Sequence, residues 1–178
     1  MSAFDDARVL VFVADYIGVD AGAKVNAIGV AFNVTTLQQN GFTAPQHVIA
    51  LIDVPRQYVG HDFPVSIELR RDDLNQTVTL PGPSGRPEAL RISQNVRPDM
   101  PIVQAGVLRP EGLYSRLQFA LAFPTGLQLQ AGVSYRWRVE VEGRHKPDWE
   151  APFHVLALAP GPVFGGPSNP PDPSLPTF

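Results

Sequence analysis

Side chains able to do chemistry are few in this chain, and their spacing disperses them. The four histidines, His47, His61, His145 and His154, include no His-x-His or His-x₃-His pair that would aim two imidazoles at one metal ion. His61-Asp62 sets a base beside an acid. Neighbouring residues on a strand point to opposite faces, and this pair falls in an expected turn, so it reads as solvated loop. Glu142, His145, Asp148 and Glu150 crowd one hairpin end and have the donors of a hard-cation site. Arg144 and Lys146 interleave them, which makes an ordinary charged turn the better reading. Asp72-Asp73 with Asn75 has the residue types of a calcium loop without its regular ligand spacing. A polar hairpin turn explains it equally well.

Trp137 and Trp149 carry flat faces of the kind that stack on sugars. Trp137 belongs to an inward-facing set and is assigned to the core; Trp149, beside a turn, is open between core and surface. Asn33-Val34-Thr35 matches a glycosylation sequon, which without a secretory signal is a chance match. No Gly-x-Ser-x-Gly, P-loop or Gly-x-Gly-x-x-Gly occurs. With no cysteine, disulfides and thiolate metal sites are excluded. The expectation is a protein that is not an enzyme and takes no cofactor and no metal.

Charge narrows the partners. The net charge of −3 comes with no basic stripe, which argues against nucleic acid. Of the 14 basic residues only Lys24 and Lys146 are lysines, a bias that, with the Ala, Gly and Pro content, suggests a GC-rich genome. Charged residues make up 17% of the chain, few for a soluble surface, and this hints that some surface meets a partner. The start, Met1-Ser-Ala-Phe-Asp-Asp6, is acidic where a signal peptide is basic. Its first apolar run, Val9 to Ala14, falls far short of the ~20 residues that span a bilayer. A soluble chain made in the cytoplasm, without a membrane partner, is expected.

The elements that must position these residues are strands. From Val133 to Val141, apolar Val133, Tyr135, Trp137, Val139 and Val141 alternate with Ser134, Arg136, Arg138 and Glu140. A period of two gives one dry face and one wet face, and the charges on the wet face predict that no second layer covers it. Arg8 to Tyr16 is apolar on both faces and predicts a strand covered on both sides. A loop is expected over Ile17 to Ala23. Lys24 to Thr35 reads as one strand with Ile28, Val30, Phe32 and Val34 on a shared face, and with Gly29 marking a bulge or close backbone contact. Further strands are expected over 47–54, 64–71, 76–80, 89–96, 113–123 and 150–159. No window shows sustained helical periodicity. About eight strands with Gly/Pro turns predict an all-β fold, a two-layer antiparallel β-sandwich spanning residues 1–159.

Residues 160–178 differ in composition. Prolines at 160, 162, 167, 170, 171, 173 and 176, with three glycines, cannot join a sheet and favour extended polyproline conformation. At ~3.1 Å per residue this arm reaches roughly 60 Å, against about 40 Å across a compact domain of this size. Two readings stand: a free tail, and a strap that lies on a neighbour. In the second, Phe164 and Phe178 are anchors and Pro167, Pro170, Pro171, Pro173 and Pro176 complete the partner-binding set.

The stretch Val11-Phe-Val-Ala-Asp-Tyr-Ile-Gly-Val-Asp-Ala-Gly-Ala-Lys-Val-Asn-Ala-Ile-Gly29 resembles an uncharacterised family of small bacterial and phage-encoded β-sandwich domains. These begin with an apolar strand, an Asp-Tyr or similar pair, a Gly-Lys turn and an Ile-Gly strand. Ala23 between Gly22 and Lys24 departs from that pattern. The resemblance implies a sandwich and no activity. The function expected is that of a non-enzymatic structural subunit of a larger assembly, a phage virion accessory such as a capsid decoration or tail protein. Its partners would be protein neighbours, including copies of itself, and it would sit in the virion. The alternative is a stand-alone carbohydrate- or peptide-binding module using Tyr58, Phe63 and Trp149 at one end of the sandwich.

Overall fold

The structure, a computed structural model, describes residues 2–19, 25–82, 85–100 and 112–157. The arm and every partner-binding residue placed on it (Phe164, Pro167, Pro170, Pro171, Pro173, Pro176 and Phe178) lie outside the described residues. Two antiparallel sheets face one another. The first joins β1 (Arg8–Ala14), β5 (Gln46–Pro55) and β11 (Tyr114–Phe123) in the order β1-β5-β11. The second runs β10 (Arg91–Val96), β6 (Phe63–Arg71), β12 (Val133–Val141), β13 (Glu150–Leu156) and β4 (Val34–Thr36). Here β4 departs from antiparallel order and lies parallel to β13. The hairpin β2 (Tyr16–Val19) with β3 (Val25–Ile28) extends from the end of β1. Short strands β7 (Gln76–Thr77), β8 (Thr79–Pro81) and β9 (Pro87–Ala89) lie between β6 and β10.

The core is the space between the sheets. Strand register stacks Val11, Ala50 and Phe119 in one row of the first sheet, and Leu69, Trp137 and Ala151 in one row of the second. Trp137 is fully buried, and the Phe123 ring from the opposite sheet stacks on it at 5.3 Å. Burying each such side chain contributes about 2–3 kcal/mol. The alternation read over 133–141 thus holds at both ends of β12.

This strand order is that of an immunoglobulin-type sandwich, A-B-E against C′-C-F-G with an A′ strand beside G. A local contact agrees. The Gln130 amide donates to Tyr135 Oη at 2.9 Å, five residues upstream of a tyrosine near the start of the F-like strand. Such a tyrosine corner fixes the chain as it re-enters the sheet.

Three expectations are corrected. The outer face of β12 is not a wet surface: Arg138 and Glu140 are buried, and so are Ser66 and Glu68 opposite. Register lines up Arg91, Glu68, Arg138 and Glu150 across four neighbouring strands, with the sign of charge alternating. Opposite charges on facing strands attract, and paired groups need not reach water. Second, Ile17 to Val19, expected as loop, continues from Tyr16 as the first strand of the hairpin. Third, Lys24 to Thr35 is not one strand. After β3 the backbone turns through Gly29 (φ +65°) and Ala31 (φ +60°), and β4 belongs to the other sheet. Leu10, on the outer face of β1 where the sequence expects an arm or a neighbouring subunit, is 58% exposed.

Helix is confined among the described residues to α1 (Ala3–Asp6) and a 3₁₀ turn at Arg56–Tyr58. The first of these closes one end of the sandwich. Phe4 sits edge-on to Trp149 at 5.3 Å, with the Arg144 guanidinium 4.1 Å above its ring. Tyr58 Oη lies 2.7 Å from Asp6 Oδ2 and 2.8 Å from the Ser2 carbonyl oxygen, two acceptors for its single proton. Burial first, then that bond to Asp6, raises the Tyr58 phenol above its usual pKa. Among the described residues no helix is long and apolar enough to cross a membrane.

Candidate docking surface

The residues that could do chemistry are held apart, and most of them are hydrogen-bonded or ion-paired. His47 Nδ1 lies 3.1 Å from the Asp15 carbonyl, and His154 Nδ1 lies 2.9 Å from Ser134 Oγ. His61 and Asp62 are exposed beside the 3₁₀ turn. The hairpin cluster separates into ion pairs. Glu150 binds Arg138 at 2.8 Å and Arg136 at 3.1 Å, and His145 stands 3.8 Å from it. Glu142 accepts from Ser2 Oγ and from the Phe4 amide. The bond from Ser2 holds the Glu142 carboxyl below its usual pKa, against a smaller opposing effect of burial. Asp72 binds Arg136 and Asp73 binds Arg71, so that turn is an ion-paired hairpin rather than an array of oxygens aimed at a cation. Among the described residues, no group of three His, Cys, Asp or Glu is gathered where it could hold a metal ion.

Tyr58, Phe63 and Trp149, expected as a sugar-stacking platform, are all buried. The reason is α1, whose Phe4 covers Trp149 and whose flank binds Tyr58. A polar cleft of about 270 Å³ lies at the other end, between Gln76–Thr79 and Gln128–Gln130. Arg71 reaches into it and is tied to Asp73 and Gln130.

Apolar surface is concentrated elsewhere, along the seam where β1 of one sheet meets β13 and β4 of the other. The seam is made by the chain crossing between sheets. The Asp15 amide donates to Ile28 O at 3.1 Å, and Ala31 donates to Val13 O at 2.8 Å, closing the far end of the β1 edge. The His154 amide then donates to Asn33 O at 2.8 Å, which seats the crossing chain on β13. Gly29 turns the chain at φ +65°, a conformation glycine adopts without steric cost, and the Asp15 side chain packs against it. The neighbour is a side chain, not the backbone that a glycine within the apolar pattern leads one to expect.

Phe32 lines two separate cavities beside the crossing chain. On one side Phe12, Val11, Ala151 and Pro152 enclose about 260 Å³. On the other, Val34, Thr36 and Pro45 enclose about 320 Å³. Val34, which lines the second cavity, is exposed, and so are Leu10 of β1, Tyr16 and Ile28 of the hairpin, Val30 of the crossing chain and Leu156 of β13, with Ile28 at 67%. Only Leu74 and Ile92 among the exposed large apolar residues of the described chain lie elsewhere. Clustered apolar exposure of this kind marks interaction surfaces, whereas single exposed residues are ordinary. The alternation of Ile28, Val30, Phe32 and Val34 was legible in the sequence as a shared face. That the face would be turned to solvent was not.

No family model, curated protein or solved structure matches this chain.

Proposed function

We propose that this chain is a non-enzymatic interaction subunit of a larger protein assembly, docking on protein neighbours through its seam and its C-terminal arm. The most concrete version is a virion accessory protein, a capsid decoration or tail component. One observation carries the reading: six of the eight exposed large apolar side chains of the described residues lie on β1, the β2–β3 hairpin, the chain that follows it, and the β13–β4 edge. Leaving apolar surface wet is costly at about 25 cal/mol per Å², so covering it favours association, less what ordering the two partners costs. The arm supplies reach, and the likeness of Val11–Gly29 to small bacterial and phage-encoded β domains supports the setting.

The test is incorporation. Tagged full-length chain, co-expressed with the proteins encoded beside it, should co-purify in a defined stoichiometry by light scattering. A variant lacking 160–178 should fold, with unchanged far-UV circular dichroism, and fail to incorporate. Normal incorporation of the truncated chain would remove the arm from the proposal.

A second reading, a carbohydrate- or peptide-binding module, now rests on the polar cleft at Arg71 rather than on aromatic stacking. Glycan-array binding that disappears in Gln130→Ala would favour it over the first.

A further inference from the structure

Strand β1 is an edge of the first sheet, and two bonds show which of its main-chain groups face outward. Val13 O accepts from the Ala31 amide, and the Asp15 amide donates to Ile28 O. Neither partner belongs to β5. In an antiparallel ladder both main-chain groups of a residue point the same way, and the direction alternates along the strand. Val9 and Val11 therefore turn outward with Val13 and Asp15, while Leu10, Phe12 and Ala14 face Leu51, Ile49 and His47 of β5. Ala7 shares the outward direction, but its groups are taken. Its amide donates to Ala3 O at 2.9 Å, and its carbonyl accepts from Lys146 Nζ at 3.4 Å. That leaves the outward amides and carbonyls of Val9 and Val11 without a partner among the described residues.

The edge carries no device that turns a second strand away. Sheets guard their edges with lysine, proline, a bulge or an inward-pointing charge. From Arg8 to Phe12 there is no lysine or proline, and the pairing with β5 runs without a bulge. Arg8 is the only charge, and it lies at the end of the stretch, 4.8 Å over the Tyr114 ring. At the middle, Leu10 stands on the outer face and is 58% exposed. On the core side, Val11 lines the cavity of about 260 Å³ that it shares with Ala151 and Pro152. Donors and acceptors that recur every second residue, roughly 7 Å apart, match another extended backbone rather than a single polar side chain.

We infer that β1 pairs antiparallel with β1 of a second copy of this chain, about a two-fold axis at Leu10. The inference rests on the interaction-subunit reading and names one neighbour and its surface. Register favours a copy. With the axis at Leu10, Val9 of each chain faces Val11 of the other, and all the outward groups of both residues are satisfied. An axis at Val9 would call on Ala7 and one at Val11 would call on Val13, and both of these are bonded within their own chain. The unpaired stretch is thus symmetric about its most exposed residue, a property that a strand from a different protein does not require. Leu10 meets its counterpart in a non-hydrogen-bonded pair, the kind in which Cα atoms come within about 4.5 Å. Arg8 falls opposite Phe12 of the other chain, so the two arginines do not oppose one another. The first sheet of each copy continues into that of the other, both edges are used up, and the contact closes at two copies. An edge this short covers less than the ~800 Å² per partner of a standard interface, so the dimer is weak and reversible.

The experiment is sedimentation over a wide concentration range on the full chain and two full-length variants, Leu10→Lys and Leu10→Glu, whose replaced side chain is exposed and leaves the core alone. The parent's mass should climb with concentration from 19.4 kDa toward a dimer. Each variant alone sets like charges against one another across the axis and should stay at the mass of one chain. An equimolar mixture of the two should associate, because a lysine then faces a glutamate. In the parent, amide exchange followed by NMR should slow at Val9 and Val11 as concentration rises. Leu10 and Phe12, already bonded to β5, should keep their rates. A mixture that stays monomeric would overturn the inference, as would variants that associate like the parent or exchange at Val9 and Val11 that ignores concentration. A parent monomeric at every concentration would overturn it too. Incorporation with the neighbouring proteins judges the interaction-subunit reading separately: a chain that incorporates yet never self-associates keeps that reading and loses this inference.

Discussion

Glu68 shows how a charge can be held inside a sheet face. It is fully buried, yet accepts from Arg70 at 2.8 Å and Thr77 at 2.8 Å, with Arg91 at 3.5 Å. Burial is the largest effect on its carboxyl and acts to raise the pKa. The bonds from Arg70 and Thr77 and the nearby arginine charges together outweigh it, so the net shift is downward. A carboxylate whose folded pKa is depressed contributes stability above its unfolded value, about 4.3, and that stability is lost as pH falls through the folded pKa. Glu68→Gln should therefore cost about 3 kcal/mol near neutral pH, the low end for breaking a buried pair because Arg91 keeps contact with water. In urea titrations across acid pH, the variant should also show a flatter acid limb than the parent. Phe4 offers a second test at this scale. Phe4→Ala removes the ring between Trp149 and Arg144, and should cost about 2 kcal/mol. Trp149 would then meet water, which a red shift in tryptophan emission would report.

Strand β12 and its neighbours set the elements. The alternation from Val133 to Val141 was readable in the sequence because the inner face of β12 is apolar without exception, and a period of two has no helical counterpart. Its outer face was misread for a physical reason. Arg136, Arg138 and Glu140 have the composition of a solvated face, and only the register of β6, β10 and β13 shows that opposite charges lie across from them. Ile28 to Val34 was misread similarly. A shared period does not reveal that positive-φ residues Gly29 and Ala31 break the strand and send its halves to different sheets. The corner at Tyr135 is testable at this scale. Tyr135→Phe removes the acceptor of the Gln130 amide and should cost about 1–2 kcal/mol in chemical unfolding, with the native circular dichroism retained.

At the scale of the whole molecule, the surface divides into a compensated polar sheet and an apolar seam. On the sheet, Arg70, Arg91, Arg136 and Arg138 are matched by Glu68, Glu140, Glu150 and Asp72, so this face attracts neither polyanions nor cations strongly. Opposite it, Tyr16 and Ile28 are cross-strand partners on the projecting hairpin and both are exposed. Ile28→Asp should change unfolding free energy by no more than about 0.5 kcal/mol, as surface replacements do. It should also raise the ammonium sulfate concentration at which the chain precipitates. Precipitation unchanged from the parent would show that the hairpin is not part of the sticky surface.

The amino-acid sequence by itself determined that this chain is a β-sandwich, because inward positions two apart must be apolar wherever two sheets exclude water between them. Tertiary structure decided which polar residues are buried and which apolar ones are left in solvent. Those are properties of register and of sheet edges, set by partners distant in sequence: Glu68 opposite Arg138, Phe4 over Trp149, and β1 meeting β13 across the seam.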